Sequence, residues 1–150
     1  MAEVKPFRGV RPRHDLAHEV IAPPYDVLTI SEARSLAQNA NNFVRVTRPE
    51  VDLEEGSDPY SAACYAKAAE NFQRSSQKGV FVRDRVPSFY CYGQTWGNHR
   101  QVCLLAGVPV RDYESGLIAR HEFTRPDKED DRTRHIEALN AQAGLVFLTY

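Results

Sequence analysis

No stretch of this 150-residue chain is long and apolar enough to span a bilayer, and its start, MAEVKPFRGVRPRHD, lacks the apolar core of a secretory signal. The expectation is a cytoplasmic protein with no membrane partner. Neither sign of charge dominates. A balance of 19 basic against 20 acidic residues leaves a formal charge of −1, which removes any general attraction to nucleic acid. Nucleic acid is therefore not expected as a partner, and Arg8, Arg11 and Arg13 read as solvated or locally paired side chains. Cysteine is scarce: Cys64, Cys91 and Cys103 show neither CxxC spacing nor an even count, which argues against a disulfide framework or a cysteine zinc site. If the loop around Gly97 holds three residues, Cys91 faces Cys103 across a hairpin and an oxidised pair stays open. There is no glycine-rich P-loop and no GxGxxG, so any nucleotide site is of another kind. The segment HEFTR also lacks the second histidine of a helical zinc protease.

What is present is ordinary globular material, 42% hydrophobic and 26% charged, enough for a real core. The tandem prolines of APPYDV block helix and hold Tyr25 and Asp26 in a stiff turn. Thr29 and Glu32 form a capping box that starts a short helix running to about Asn39. The β-forming Phe43, Val44 and Val46 of NFVRVTRP predict a strand closed by Pro49. After an acidic loop, Pro59 opens a helix that runs to Gly79, with Tyr60, Cys64, Ala68 and Phe72 recurring as a core stripe. VFVRD reads as a short strand. SFYCYGQT and HRQVCLLAGVPVRDY, on either side of Trp96-Gly97-Asn98, give the clearest hairpin signal and the expected centre of a sheet. LIARHEF and LVFLTY are expected strands, and between them lies a helix ended by Gly144.

The most informative stretch is HEFTRPDKEDDRTRH, from His121 to His135. Thr124 reads as an N-cap and Pro126 as the first helical residue, because proline's missing N–H costs nothing in a first turn. At 3.6 residues per turn, Lys128, Asp131, Arg132, His135 and Leu139 share one face. Ordinary i,i+4 pairing on an exposed helix explains such a face as well as a binding site does. The loop before the helix, with His121, Glu122 and Arg125, tips the reading toward a site, since free N–H groups and the helix dipole attract anions there. Arg125, Lys128 and Arg132 are the candidate phosphate-binding residues. His121, Glu122, Asp131 and His135 are the candidate catalytic residues: a carboxylate as base or magnesium ligand, an imidazole for acid-base work. No metal site is assigned.

PFRGVRPR, APPYDV, RVTRPEVDL, YAKAAENF, GVFVRD, YGQT, ARHEFTRPDKEDDRTRHIEALNAQ and VFLTY resemble, in order and nearly end to end, the recurring blocks of domain-of-unknown-function family number 1015. Members of that family are longer, and their later part carries an Asp-Gly-His-His-Arg block similar to one in ParB and sulfiredoxin-like kinases of free serine. The resemblance implies a small-molecule phosphotransferase acting on a hydroxylated metabolite such as free serine, with ATP or ADP and Mg as donor and cofactor. This chain lacks that later block. His121, Glu122, Thr124, Arg125, Lys128, Asp131, Arg132 and His135 match the family's motif.

The fold expected is α+β, a mostly antiparallel sheet flanked by helices. It is read as a single domain over residues 1–150, the N-terminal portion of a larger protein, because LVFLTY is an odd place for a chain to finish. Two functions fit: the phosphotransferase, or a non-catalytic regulatory or binding module. Either way, the expected partner is an anionic or phosphorylated small molecule.

Overall fold

The computed structural model describes residues 2–149. Its elements, in chain order, are β1 (Val10–Pro12), α1 (Ala17–Val20), α2 (Ile30–Leu36), α3 (Val44–Thr47), α4 (Ala62–Gln77), β2 (Phe81–Arg83), β3 (Tyr90–Trp96), β4 (His99–Leu105), α5 (Val110–Glu114) and α6 (Pro126–Leu139). Single-turn 3-10 helices at His14–Leu16, Tyr25–Val27 and Pro49–Asp52 link them. Strands pair as two small sheets, β1 with β2 and β3 with β4. The class is α+β with antiparallel pairing, as the sequence indicates. None of the helices among the described residues is long and apolar enough to cross a membrane. The chain forms two compact units: residues 2–11 with 83–123, and residues 12–82 with 124–149.

The second unit holds the apolar core. Val46 of α3, Ala68 of α4 and Leu139 of α6 are buried together, with Phe43 and Phe72 packed on them. Phe81 joins both phenylalanines, its ring centroid 5.8 Å from that of Phe43 and 5.6 Å from that of Phe72. The capping box forms as expected: the Glu32 N–H donates to the Thr29 hydroxyl, and the Glu32 carboxylate accepts the Thr29 N–H. α4 starts three residues later than the proline suggests, because the Ser61 hydroxyl accepts the Cys64 N–H and caps the helix there. Gly79 follows it at φ +70°, the left-handed conformation that ends helices cheaply in glycine.

Three segments depart from the strands expected of them. NFVRVTRP is helical at α3 and then turns into the Pro49 3-10 helix. Its β-branched residues are buried by packing rather than by a ladder. Asn42 anchors the turn, its amide donating to the Ile21 carbonyl and its carbonyl accepting from the Val44 N–H. The Arg45 guanidinium then forks onto Asp52, and Asn71 donates to both Asp52 and the Arg45 carbonyl. Local propensity is a weak prior, and here these tertiary bonds outweigh it. LIARHEF and the described residues of LVFLTY likewise lie outside any strand; Tyr150 falls outside the described residues.

In the first unit the hairpin is present with a two-residue loop, Trp96 pairing with His99. Gly97 takes φ +56°, the positive value that a II′-type loop requires at its first position. That loop length sets Cys103 opposite Tyr92 and not opposite Cys91, so the two thiols point to opposite faces. All three cysteines are free. β4 stops at Leu105, and VPVRDY, expected to continue the strand, contributes α5 instead. The hairpin is a sheet by itself and not the centre of a larger one. The unit is tied by polar bonds: the Tyr90 hydroxyl donates to Asp84 at 2.6 Å and accepts the Gly9 N–H at 2.8 Å. Arg11 forks onto the same Asp84, and this guanidinium, with the Tyr90 hydroxyl, holds the carboxyl at about 2.

Leu139→Ala removes the side chain that joins α6 to the core and is expected to destabilise the protein by ~2–4 kcal/mol. Urea unfolding followed by circular dichroism measures it, and a loss under ~1 kcal/mol contradicts this packing.

Candidate functional site

α6 turns toward α3 and α4 the face predicted from its spacing: Asp131, His135 and Leu139 are buried, and Lys128 and Arg132 are half-buried. The helix begins at Pro126, as expected, but the residue that caps it is not Thr124. Arg125 is its N-cap, and the Thr124 hydroxyl donates to Glu129 at 2.9 Å instead of capping the backbone. It ends at Leu139 with Asn140 in the left-handed region at φ 49°, well before Gly144.

That face closes a cleft of about 230 Å³ within the second unit. Its other walls are the APPYDV turn, through Tyr25 and Asp26; the segment after α3, through Thr47, Arg48 and Glu50; and the approach to α4, through Tyr60 and Tyr65. Asp131 is 5% exposed yet fully partnered. One carboxylate oxygen accepts the Tyr65 hydroxyl at 2.8 Å, and the other accepts Arg132 from Nε at 3.0 Å and Nη2 at 2.7 Å. Burial, reinforced by this bond to Asp131, pushes the Tyr65 hydroxyl up to about 12. Having spent its fork on Asp131, Arg132 lays its guanidinium over the Tyr25 ring, 4.2 Å from the centroid.

Arg48 is the second tied cation. It pairs with the buried Glu50 and donates to the Tyr25 and Leu28 carbonyls at 3.0 and 2.7 Å, which fixes the proline turn against the cleft. Lys128 differs from both. Its ammonium donates to the Tyr60 hydroxyl at 3.0 Å and has no carboxylate within ion-pair distance among the described residues. That hydroxyl raises its pKa above the ordinary lysine value.

His135 is 3% exposed and lines the cleft, with Nε2 2.9 Å from the Val46 carbonyl. A carbonyl only accepts, so Nε2 carries the proton and donates. Burial moves the imidazole below its usual pKa, against the opposing pull of that carbonyl, and Nδ1 is left with a lone pair and no protein partner among the described residues.

The other candidates lie elsewhere. Arg125 is exposed and forks onto Asp127, which depresses that carboxyl. His121 and Glu122 are exposed residues of the first unit and are not among the residues lining the cleft. Among the described residues no group of three or more His, Cys, Asp or Glu side chains could hold a metal ion, and both Asp131 oxygens are already occupied. Among the described residues there is thus no all-protein cage for magnesium, and of the carboxylates lining the cleft Asp26 alone has no partner. Tyr25 and Asp26 were legible as a stiff turn, but Arg48, Glu50 and Tyr65 escaped sequence reasoning. Tyr60, read as part of the core stripe, lies before α4, is 46% exposed and meets Lys128. No local signal marked Arg48, whose partners at the Tyr25 and Leu28 carbonyls lie 23 and 20 residues away.

Residues 4–150 match the family described as Protein of unknown function (DUF1015), and the chain belongs to that family. No curated protein and no solved structure matches it.

Tyr65→Phe leaves one oxygen of a buried carboxylate without its donor and is expected to cost ~1–3 kcal/mol in urea unfolding. A second expectation concerns acid. Because the folded His135 binds its proton less readily than the unfolded chain does, stability is intact above the unfolded value near 6.5 and is lost as pH falls below it. The depressed carboxyls, Asp52 and Asp84 among them, contribute losses only at lower pH, where unfolded carboxyls titrate. Unfolding midpoints at pH 7.5 and 5.5 should differ for the native protein and converge for His135→Gln. A midpoint insensitive to pH in that interval contradicts the buried, neutral assignment.

Proposed function

We propose that the α6 cleft binds a small phosphorylated or otherwise anionic molecule. The observation that carries this reading is Lys128: of the three cationic side chains lining the cleft, it has no carboxylate partner among the described residues, whereas Arg48 and Arg132 are neutralised by Glu50 and Asp131. Tyr60 strengthens the site. Its hydroxyl oxygen accepts from Lys128, which leaves its own hydrogen free to donate to the same anion. The volume, about 230 Å³, lies below the roughly 300–1,000 Å³ of cavities that enclose drug-sized ligands, and so suits a small metabolite better than a whole nucleotide.

The catalytic form of this reading is a phosphotransferase acting on a hydroxylated metabolite, supported by the family's resemblance to ParB-like kinases of free serine and by His135. A neutral imidazole with Nδ1 unpartnered is equipped to accept the proton of an attacking hydroxyl near neutral pH. Arg132 and Lys128 would hold the phosphoryl oxygens, and Asp131 would orient Arg132 without acting as a base, since both its oxygens are engaged. His121, Glu122 and Arg125 stay in this proposal as residues to be assayed, with Arg125 the third candidate for phosphate.

A binding module without turnover is the second reading, favoured by the same engagement of Asp131 and Glu50, which leaves no buried carboxylate free to serve as base or metal ligand. Titration of the protein with inorganic phosphate and small phosphomonoesters, followed by amide chemical shifts, tests what the two readings share. Lys128→Met is expected to weaken binding about tenfold, the loss of one charge-assisted contact. Unchanged affinity in that variant removes the reading. Incubation with ATP or ADP, Mg and free serine or other small alcohols then divides the two: a phosphorylated product marks the enzyme, and saturable binding without product marks the module.

A further inference from the structure

We infer that the cleft is built for a zwitterion, a small molecule bearing a cationic group as well as the anionic group assigned above; the inference rests on that anion-binding reading and adds Asp26. The argument is a matching of charges. Glu50 is held by Arg48 and Asp131 by Arg132, so each of these pairs is internally neutral. Two charged side chains lining the cleft are left over. Lys128 has no carboxylate partner, and Asp26, exposed on the proline turn, has no hydrogen-bond or ion-pair partner among the described residues.

The two leftover charges are opposite in sign and do not close on each other, since no nitrogen of Lys128 comes within the 4.0 Å of an ion pair with Asp26. They are also mounted on stiff supports. Asp26 sits in the 3-10 turn Tyr25–Val27 behind Pro23 and Pro24, whose carbonyls at Tyr25 and Leu28 are gripped by Arg48. Lys128 stands on the first turn of α6 and is braced by Tyr60. Two fixed, unmatched charges in one small cavity are complementary to a molecule with the reverse pattern. A purely anionic ligand satisfies only one of them and brings its own charge toward Asp26, and a like-charge approach is unfavourable. The chemical class is a small amino-phosphate or amino-carboxylate, with its ammonium toward Asp26 and its anionic end toward Lys128 and Tyr60.

Phosphoethanolamine and propyl phosphate test this, because they share a phosphate and a similar length and differ in the ammonium. In titrations of the full chain, phosphoethanolamine is expected to bind about three- to fivefold more tightly, the size of effect that one exposed ion pair supports. Asp26→Asn is expected to abolish that preference, weakening phosphoethanolamine and leaving propyl phosphate bound at least as tightly as before because a like charge is removed, and Lys128→Met to weaken both. Asp26 makes no contact that the fold uses, so the variant's unfolding midpoint should equal that of the native protein. Equal binding of the two compounds to the native protein, or a preference that survives in Asp26→Asn, overturns the zwitterion inference and leaves the anion reading standing. Failure of both compounds to bind overturns the anion reading and this inference with it.

Discussion

The carboxylate of Asp131 is the group on which the cleft depends. Burying an ionised carboxylate costs several kcal/mol unless its oxygens are met, and both are met here from different directions, by a tyrosine on α4 and by the neighbouring arginine on α6. The result is a line of contacts, Tyr65 to Asp131 to Arg132 to Tyr25, that joins α4, α6 and the proline turn across one opening. His135, one turn further along α6, repeats the device with a backbone carbonyl of α3. Docking of the helix and construction of the cleft are thus one event, and the same residues serve both.

Such economy has an electrostatic side. Two of the three cations in the cleft are already satisfied by buried carboxylates, so the wall is nearly neutral and attracts no ion indiscriminately. Selectivity then falls to the few groups left unmatched and to their fixed positions. The match to the family described as Protein of unknown function (DUF1015) extends over residues 4–150, so it takes in both compact units apart from the first residues of the chain.

Much of α6 could be read in advance because helical spacing is a strong signal: residues three and four apart share a face whatever they touch, and the face named from sequence is the one turned inward. The capping box at Thr29 and the turn at Gly97 were legible for a similar reason, each needing only neighbours within four residues. What faces α6 was not. Tyr65 and Asp131 are 66 residues apart, and Val46 and His135 are 89 apart, and no local pattern encodes such pairings. The misread strand at Val44 and Val46 belongs with these. Two buried valines look alike from sequence whether a ladder or a helical turn hides them, and the deciding partners, Asp52 and Asn71, come from later in the chain. Arg125 shows a different limit: its place in the loop was legible, but not that its guanidinium forks onto Asp127, two residues away.

The second unit is assembled from two stretches of chain, with residues 83–123 belonging to the other unit in between. During synthesis at ~5–20 residues per second, α4 leaves the ribosome with α3 already available to pack on it but waits on the order of several seconds for α6 to arrive. Through that interval the Tyr65 hydroxyl lacks Asp131 and Ala68 lacks Leu139, while Phe72 already has Phe81 to pack on. Completion of the unit therefore follows elongation, and a translational pause placed before the codon for Pro126 would lengthen the time for which Tyr65 is without Asp131.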